Sequence, residues 1–175
     1  MSQKLIFLDI DGVLNCTDYS VVNNKFAIEM HSPLLAHDKH GDLFDSRAVR
    51  WLEWIIYQTR ADIVISSTWR NRGTDKLRDM WYDRKLPGYI VDITPKFHGK
   101  LRGEEIKAYL ENAEHRNIYE YNFNVESYCI IDDDTDMLPE QMKNFVHCDD
   151  NFGITRKEAE KAIAILNRLE NGMMK

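Results

Sequence analysis

The chain has 175 residues, 43% apolar and 30% charged, with a net charge of −6. That length predicts a single domain over residues 1–175 that needs no disulfide staple, and the composition excludes a disordered chain. No apolar run nears the roughly 18 residues of a membrane helix. The first one, Leu5–Leu8, ends at Asp9 and is too short for a signal peptide.

Three cysteines, Cys16, Cys129 and Cys148, have no metal-site spacing and read as reduced thiols of a cytoplasmic protein. The net charge argues against wholesale non-specific nucleic-acid binding. Residues 60–102 nevertheless hold ten Lys/Arg against five acids, a local +5 that leaves −11 elsewhere. Such a segment is either a face for an anionic substrate or a solvated helix surface.

Lys4–Ile10 is a short apolar run ending in acid, predicted as a buried strand. Residues 15–44 show weak periodicity and predict an irregular flap, too small for a cap domain. Its histidines (His31, His37, His40) are flap residues rather than a zinc set, while Tyr19 and Phe26 pack in it or stack on a nucleobase. Asp45 caps a predicted helix over Ser46–Arg60, with Ala48, Leu52, Ile55 and Ile56 inward and Trp51 and Trp54 packed beneath it. Asp62–Ile65 is a second strand. Thr74 is placed to cap a helix reaching Arg84, which Leu86-Pro87-Gly88 breaks before a strand at Tyr89–Ile93. Gly103–Ala113 reads as helix, Ser127–Ile131 as strand, Leu138–Lys143 as a short helix and Phe145–His147 as a fifth strand. Thr155 and Glu158 form a capping-box pattern for the last helix, whose stripe is Ala159, Ala162, Ile163, Leu166 and Leu169. Alternating strands and helices predict a three-layer α/β/α sandwich around a mostly parallel, Rossmann-like sheet, with ligands at the carboxyl ends of its strands.

Three strands break into polar residues at that end: Asp9-Ile10-Asp11-Gly12, Ser66-Ser67-Thr68-Trp69-Arg70 and Asp132-Asp133-Asp134. Five carboxylates in one pocket require a compensating cation, and a hard ion with oxygen ligands, Mg²⁺, fits where phosphate is involved. Lys100 or Arg102, just before a helix, supplies fixed positive charge, and Gly12 with the amides beyond Ser66 offers a nest for phosphate oxygens. Asp9 and Asp11, two apart on an extended chain, point the same way, so one can attack while the other handles a proton.

Asp9-Ile10-Asp11-Gly12-Val13 resembles the first signature of the haloacid dehalogenase (HAD) superfamily. Ser66 resembles its second motif, Lys100 or Arg102 its third, and Asp132-Asp133 its fourth, in the family's order over residues 9–133. The resemblance implies a HAD-type fold and a Mg²⁺ site. It makes Asp9 the nucleophile and a metal ligand, Asp11 the general acid/base with its carbonyl on the metal, and Ser66 the hydroxyl on the transferring phosphoryl group. Asp132 and Asp133 complete the metal site. Arg102 is favoured over Lys100 because it abuts the helix. Ile65–Arg70, Arg102–Ile106 and Ile130–Met137 are more closely similar to HAD domains of RNA-repair proteins and to the phosphatase module of phage polynucleotide kinase-phosphatase. That likeness implies removal of a terminal 3′-phosphate, with Arg70 on the phosphate, Ser67 giving its amide and Trp69 beside the substrate. No G-x-x-x-x-G-K-[ST] occurs, so no kinase half is expected. The expected function is a Mg²⁺-dependent phosphomonoesterase acting on an RNA or DNA 3′ end, with no membrane and no obligate protein partner. Alternatives are a nucleotidase for mononucleotides and a protein-directed phosphatase.

Overall fold

Five parallel strands make the central sheet of the computed structural model, which describes residues 2–32, 36–113 and 124–168. In chain order the strands are β1 (Ser2–Leu8), β4 (Asp62–Ile65), β5 (Ile90–Ile93), β6 (Asn124–Asp132) and β7 (Phe145–His147), arranged β5-β4-β1-β6-β7. β2 (His37–Asp38) and β3 (Gly41–Asp42) form a separate small hairpin. The helices are α1 (Thr17–Glu29), α2 (Ser46–Thr59), α3 (Thr74–Asp83), α4 (Arg102–Ala113) and α5 (Arg156–Leu166). No helix among the described residues is long and apolar enough to cross a membrane.

Strand periodicity sorts the core into two layers. Ile6 and Leu8 of β1 join α2, α3 and α5 on one face, while Leu5 and Phe7 meet Ile106 and Tyr109 of α4 on the other. Tyr109 and Tyr128 both meet Phe7 edge-on, at centroid distances of 5.4 and 5.8 Å. Because both faces are covered there, residues 5–8 of β1, 63–65 of β4 and 129–131 of β6 are apolar and buried up to the carboxyl edge.

Of the three helix caps expected from sequence, two form. Asp45 accepts from the Arg47 amide at 2.8 Å, and Thr155 with Glu158 closes the capping box of α5. At α3 the cap residue is Gly73, and Thr74 is the first helical residue. Along α5, Ile165 is buried where Ile163 was expected and Ile163 is only half-buried, while Leu169 lies outside the described residues.

The predicted flap is where the fold departs most from expectation. Residues 17–29 are helical, and only Ala27 of them is buried. Val21, Val22, Phe26 and Ile28 are scattered around α1 and exposed, so periodicity gave no sign of a helix there. The β2–β3 hairpin is clamped to α3: Arg84 binds Asp38 with two hydrogen bonds and lies 4.5 Å from the Phe44 ring centroid. That guanidinium holds the Asp38 carboxyl down to about 2. Residues 33–35 of the flap lie outside the described residues. Trp51 and Trp54 are half-buried, 5.7 Å apart, and line a shallow groove of about 700 Å³ on α2 that holds no convergent carboxylates.

Candidate active site

The carboxyl ends of β1, β4 and β6 meet because β1 pairs with both of the others along its length. The Asp9 amide donates to the Ile131 carbonyl (3.0 Å) and the Ser66 amide to the Leu8 carbonyl (3.0 Å). Sequence positions far apart thereby become neighbours. Asp9, Asp132 and Asp133 each offer a carboxylate oxygen, and these oxygens lie within 4.8 Å of one another.

Arg102 faces this cluster. Its Nη1 is 3.0 Å from Asp9 Oδ2 and 3.0 Å from Asp132 Oδ2, although neither contact is aligned as a hydrogen bond. Its backbone amide donates to Asp136 Oδ2 at 2.9 Å, which seats the start of α4 against the loop after β6. Burial alone would lower the Arg102 pKa, but the charges of Asp132 and Asp9 outweigh it and the pKa is raised. Asp132 is wholly buried, and its carboxyl is pushed up to about 8, first by burial and then by the charge of Asp9. Burial and Asp9 also raise Asp133. Lys100 does not enter the site: it is exposed and pairs with Glu104 at 2.7 Å. Of the two cations, it is Arg102 that faces the aspartates.

Gly12 adopts φ +71°, and a Cβ there would lie 2.3 Å from Asp133 Cγ. The glycine is what lets the first loop close on the aspartate pair. Gly12→Ala is expected to cost about 1–3 kcal/mol, from left-handed strain and displacement of Asp133, measured by urea unfolding.

The segment after β4 divides its labour. Ser66 is buried and its hydroxyl has no hydrogen-bond partner. The Ser67 hydroxyl accepts from the Trp69 amide and caps a 3₁₀ turn over Thr68–Arg72. Trp69 has 9% exposure and points its indole N–H at Asp11 Oδ2 (2.9 Å). Asn15 holds the other Asp11 oxygen at 3.2 Å. Trp69 thus orients a carboxylate instead of presenting a face to the cleft. Arg70 is the clearest departure from expectation. Its guanidinium turns inward, pairs with buried Glu105 and donates to the Ser66 carbonyl, so it braces Ser66 and is not offered to a phosphate.

Above these groups lies an open cleft of about 470 Å³. Asp9, Asp133 and Arg102 line it together with Thr68, and α1 contributes Thr17 and Ser20. The Asp11 carboxylate borders the cleft but stands outside the three-aspartate cluster. Sequence reasoning missed Asn15, Glu105 and Asp136. Asp136 was discoverable within the acidic run after β6, whereas Asn15 and Glu105 carry no local signal. All three cysteines are free and buried.

An α/β sheet whose carboxyl rim gathers an aspartate cluster, a facing cation and an unpartnered serine defines a protein of the HAD type. The chain belongs to the family described as the HAD domain in Swiss Army Knife RNA repair proteins, whose model matches residues 5–159. No curated protein and no solved structure matches it significantly.

Proposed function

We propose that this protein is a Mg²⁺-dependent phosphomonoesterase that removes the 3′-phosphate from nucleic-acid ends through an aspartyl-phosphate. The observation that carries the reading is the Asp9–Asp132–Asp133 cluster facing Arg102 in an open cleft, beside a serine hydroxyl with no internal partner. The donor set fits a hard dication: every donor is an oxygen, three of them from carboxylates, and buried Asp132 Oδ2 has no hydrogen-bond partner. Asp9, Asp132 and Asp133 would hold the ion, with the Asp11 carbonyl. When bound, the ion neutralises phosphoryl charge and acts as a Lewis acid.

The chain's own groups perform the rest. An Asp9 oxygen attacks phosphorus and the ester P–O bond breaks. Asp11, as general acid, gives a proton to the leaving oxygen. Water then attacks the aspartyl-phosphate, Asp11 takes the proton from it, and the bond from phosphorus to Asp9 breaks to release phosphate. Ser66 and Arg102 steady the phosphoryl oxygens while charge is redistributed.

Substrate choice follows from openness and from the family. Of the described flap residues, Asn15, Cys16, Thr17, Ser20 and Val21 border the cleft and the β2–β3 hairpin does not, an arrangement that suits a polymer end better than a small metabolite, which needs enclosure. A panel with Mg²⁺ tests this. Hydrolysis of 3′-phosphorylated oligonucleotides is expected to exceed that of mononucleotides, sugar phosphates and phosphopeptides. Strong sugar-phosphate turnover with none on oligonucleotides would overturn the assignment.

A metal-linked pH effect is also expected. Unfolded, Asp132 releases its proton near pH 4; folded, it keeps it until about pH 8. The folded state therefore binds the extra proton across that window, and metal-free stability should fall as pH rises through it. Mg²⁺ replaces the proton, so its stabilising effect should grow towards pH 8. Melting temperatures measured against pH, in chelator and in Mg²⁺, check both slopes.

A further inference from the structure

Charge divides the carboxyl rim of the sheet into two halves. The loops after β1, β6 and β7 (residues 9–16, 133–138 and 148–155) carry the rim's aspartates and no Lys or Arg. The loops after β4 and β5 (residues 66–73 and 94–101) carry Arg70, Arg72, Lys96 and Lys100 and no Asp or Glu. Because the sheet order is β5-β4-β1-β6-β7, the two sets are segregated in space as well as in sequence.

The cationic half is built as a platform. Lys96 to Leu101 are all exposed, Phe97 at 45%. Phe97 belongs to neither core cluster, so packing does not account for an aromatic ring at this position. Its amide donates to Glu105 Oε1 at 2.9 Å, and the same carboxylate holds Arg70, which in turn holds the Ser66 carbonyl. Lys96 Nζ reaches Asn71 Oδ1 at 3.1 Å and joins the two loops. The loop that carries the exposed ring and the lysine is therefore tied through Glu105 and Arg70 to the backbone of Ser66. Lys100 is neutralised by Glu104, and Arg72 lies 3.9 Å from the Trp69 ring centroid, with Nη1 on the His40 carbonyl. Neither Lys96 nor Arg72 has an acidic partner in these contacts.

We propose that this half-rim is the track for the single-stranded nucleic acid that leads into the cleft, with a base stacked on Phe97 and backbone phosphates facing Lys96 and Arg72. The inference rests on the phosphatase reading and extends it to the nucleotides preceding the terminal phosphate. A polyanion is repelled by the aspartate half, which can accept a terminal phosphate only around a cation. The rest of the strand is drawn over the half where Lys96 and Arg72 stand without an acidic partner in these contacts. An exposed ring beside cations is the sequence-tolerant way to hold single strands.

The test measures binding, not turnover. An Asp9→Asn protein with Mg²⁺ is titrated against a fluorescently labelled short single strand bearing a 3′-phosphate, with and without Lys96→Glu or Phe97→Ala. Each is expected to weaken binding by about tenfold. Lys96→Glu should also flatten the slope of log affinity against log salt by roughly 0.7 or more. Unchanged affinity in both variants overturns the track. Displacement of the strand by an acidic peptide as readily as by unlabelled RNA overturns the nucleic-acid assignment. If the wild type hydrolyses no phosphomonoester yet Lys96→Glu still loses strand binding, the catalytic reading fails and the track stands.

Discussion

Asp9→Asn is expected to abolish phosphatase turnover, by at least roughly 10³-fold, while leaving the protein folded. Asparagine keeps the shape, and its carbonyl oxygen can still accept from the Ile10 amide, as Asp9 Oδ1 does at 2.8 Å. An amide cannot form the acyl-phosphate, so the first step is lost. Stability should move little or even rise in the metal-free protein. The charge of Asp9 raises the pKa of both Asp132 and Asp133, so its removal relieves repulsion among buried carboxylates and offsets the lost contact with Arg102. Steady-state hydrolysis of an aryl phosphate with Mg²⁺, beside a thermal melt, separates the two effects. Wild-type turnover in this variant would remove Asp9 from the role of nucleophile.

Arg102→Ala should damage both activity and stability. The guanidinium side chain is only 11% exposed and lies 3.0 Å from two buried carboxylates. Without it and without metal, Asp9 and Asp132 face each other with no cation, and breaking a buried pair in this way costs about 3–5 kcal/mol. The loss has a pH signature. Arg102 lowers the Asp132 pKa, so its removal raises that pKa further, and the penalty grows as pH rises and ionisation is forced. Urea unfolding in chelator should show a deficit that holds steady up to neutral pH and widens above about pH 8, partly recovered by Mg²⁺. Turnover is expected to fall by about 10²–10³-fold, the range for a lost charge-stabilising donor. Lys100→Ala should stay close to wild type, because an exposed pair with Glu104 contributes little. The reverse pattern would return the third-motif role to Lys100.

Much of this architecture is legible in the amino-acid order. Fully buried parallel strands must be apolar on both faces, so Leu5–Leu8, Asp62–Ile65 and Ile130–Ile131 stand out, and the polar residues that end them mark the carboxyl rim. Asp9, Ser66, Asp132 and Asp133 follow from that rule. The helix α1 does not, because helices are read from a buried stripe and this one buries only Ala27. Arg70 misleads for a related reason. A charge near a phosphate motif looks free until a partner appears, and its partner, Glu105, is 35 positions away in another helix.

Residue order by itself determined the alternation of strand and helix, the crossover topology that follows from it, and the reactive residue types at each strand end. These depend on local periodicity and chain handedness. Tertiary packing alone decided which groups face the cleft. Asp136 seats the first turn of α4 so that Arg102 points at the aspartates and Lys100 does not, Glu105 draws Arg70 inward, and the indole of Trp69 holds Asp11. Those choices depend on contacts between distant segments, where a buried charge takes whichever opposite charge or hydrogen-bond partner folding brings within reach.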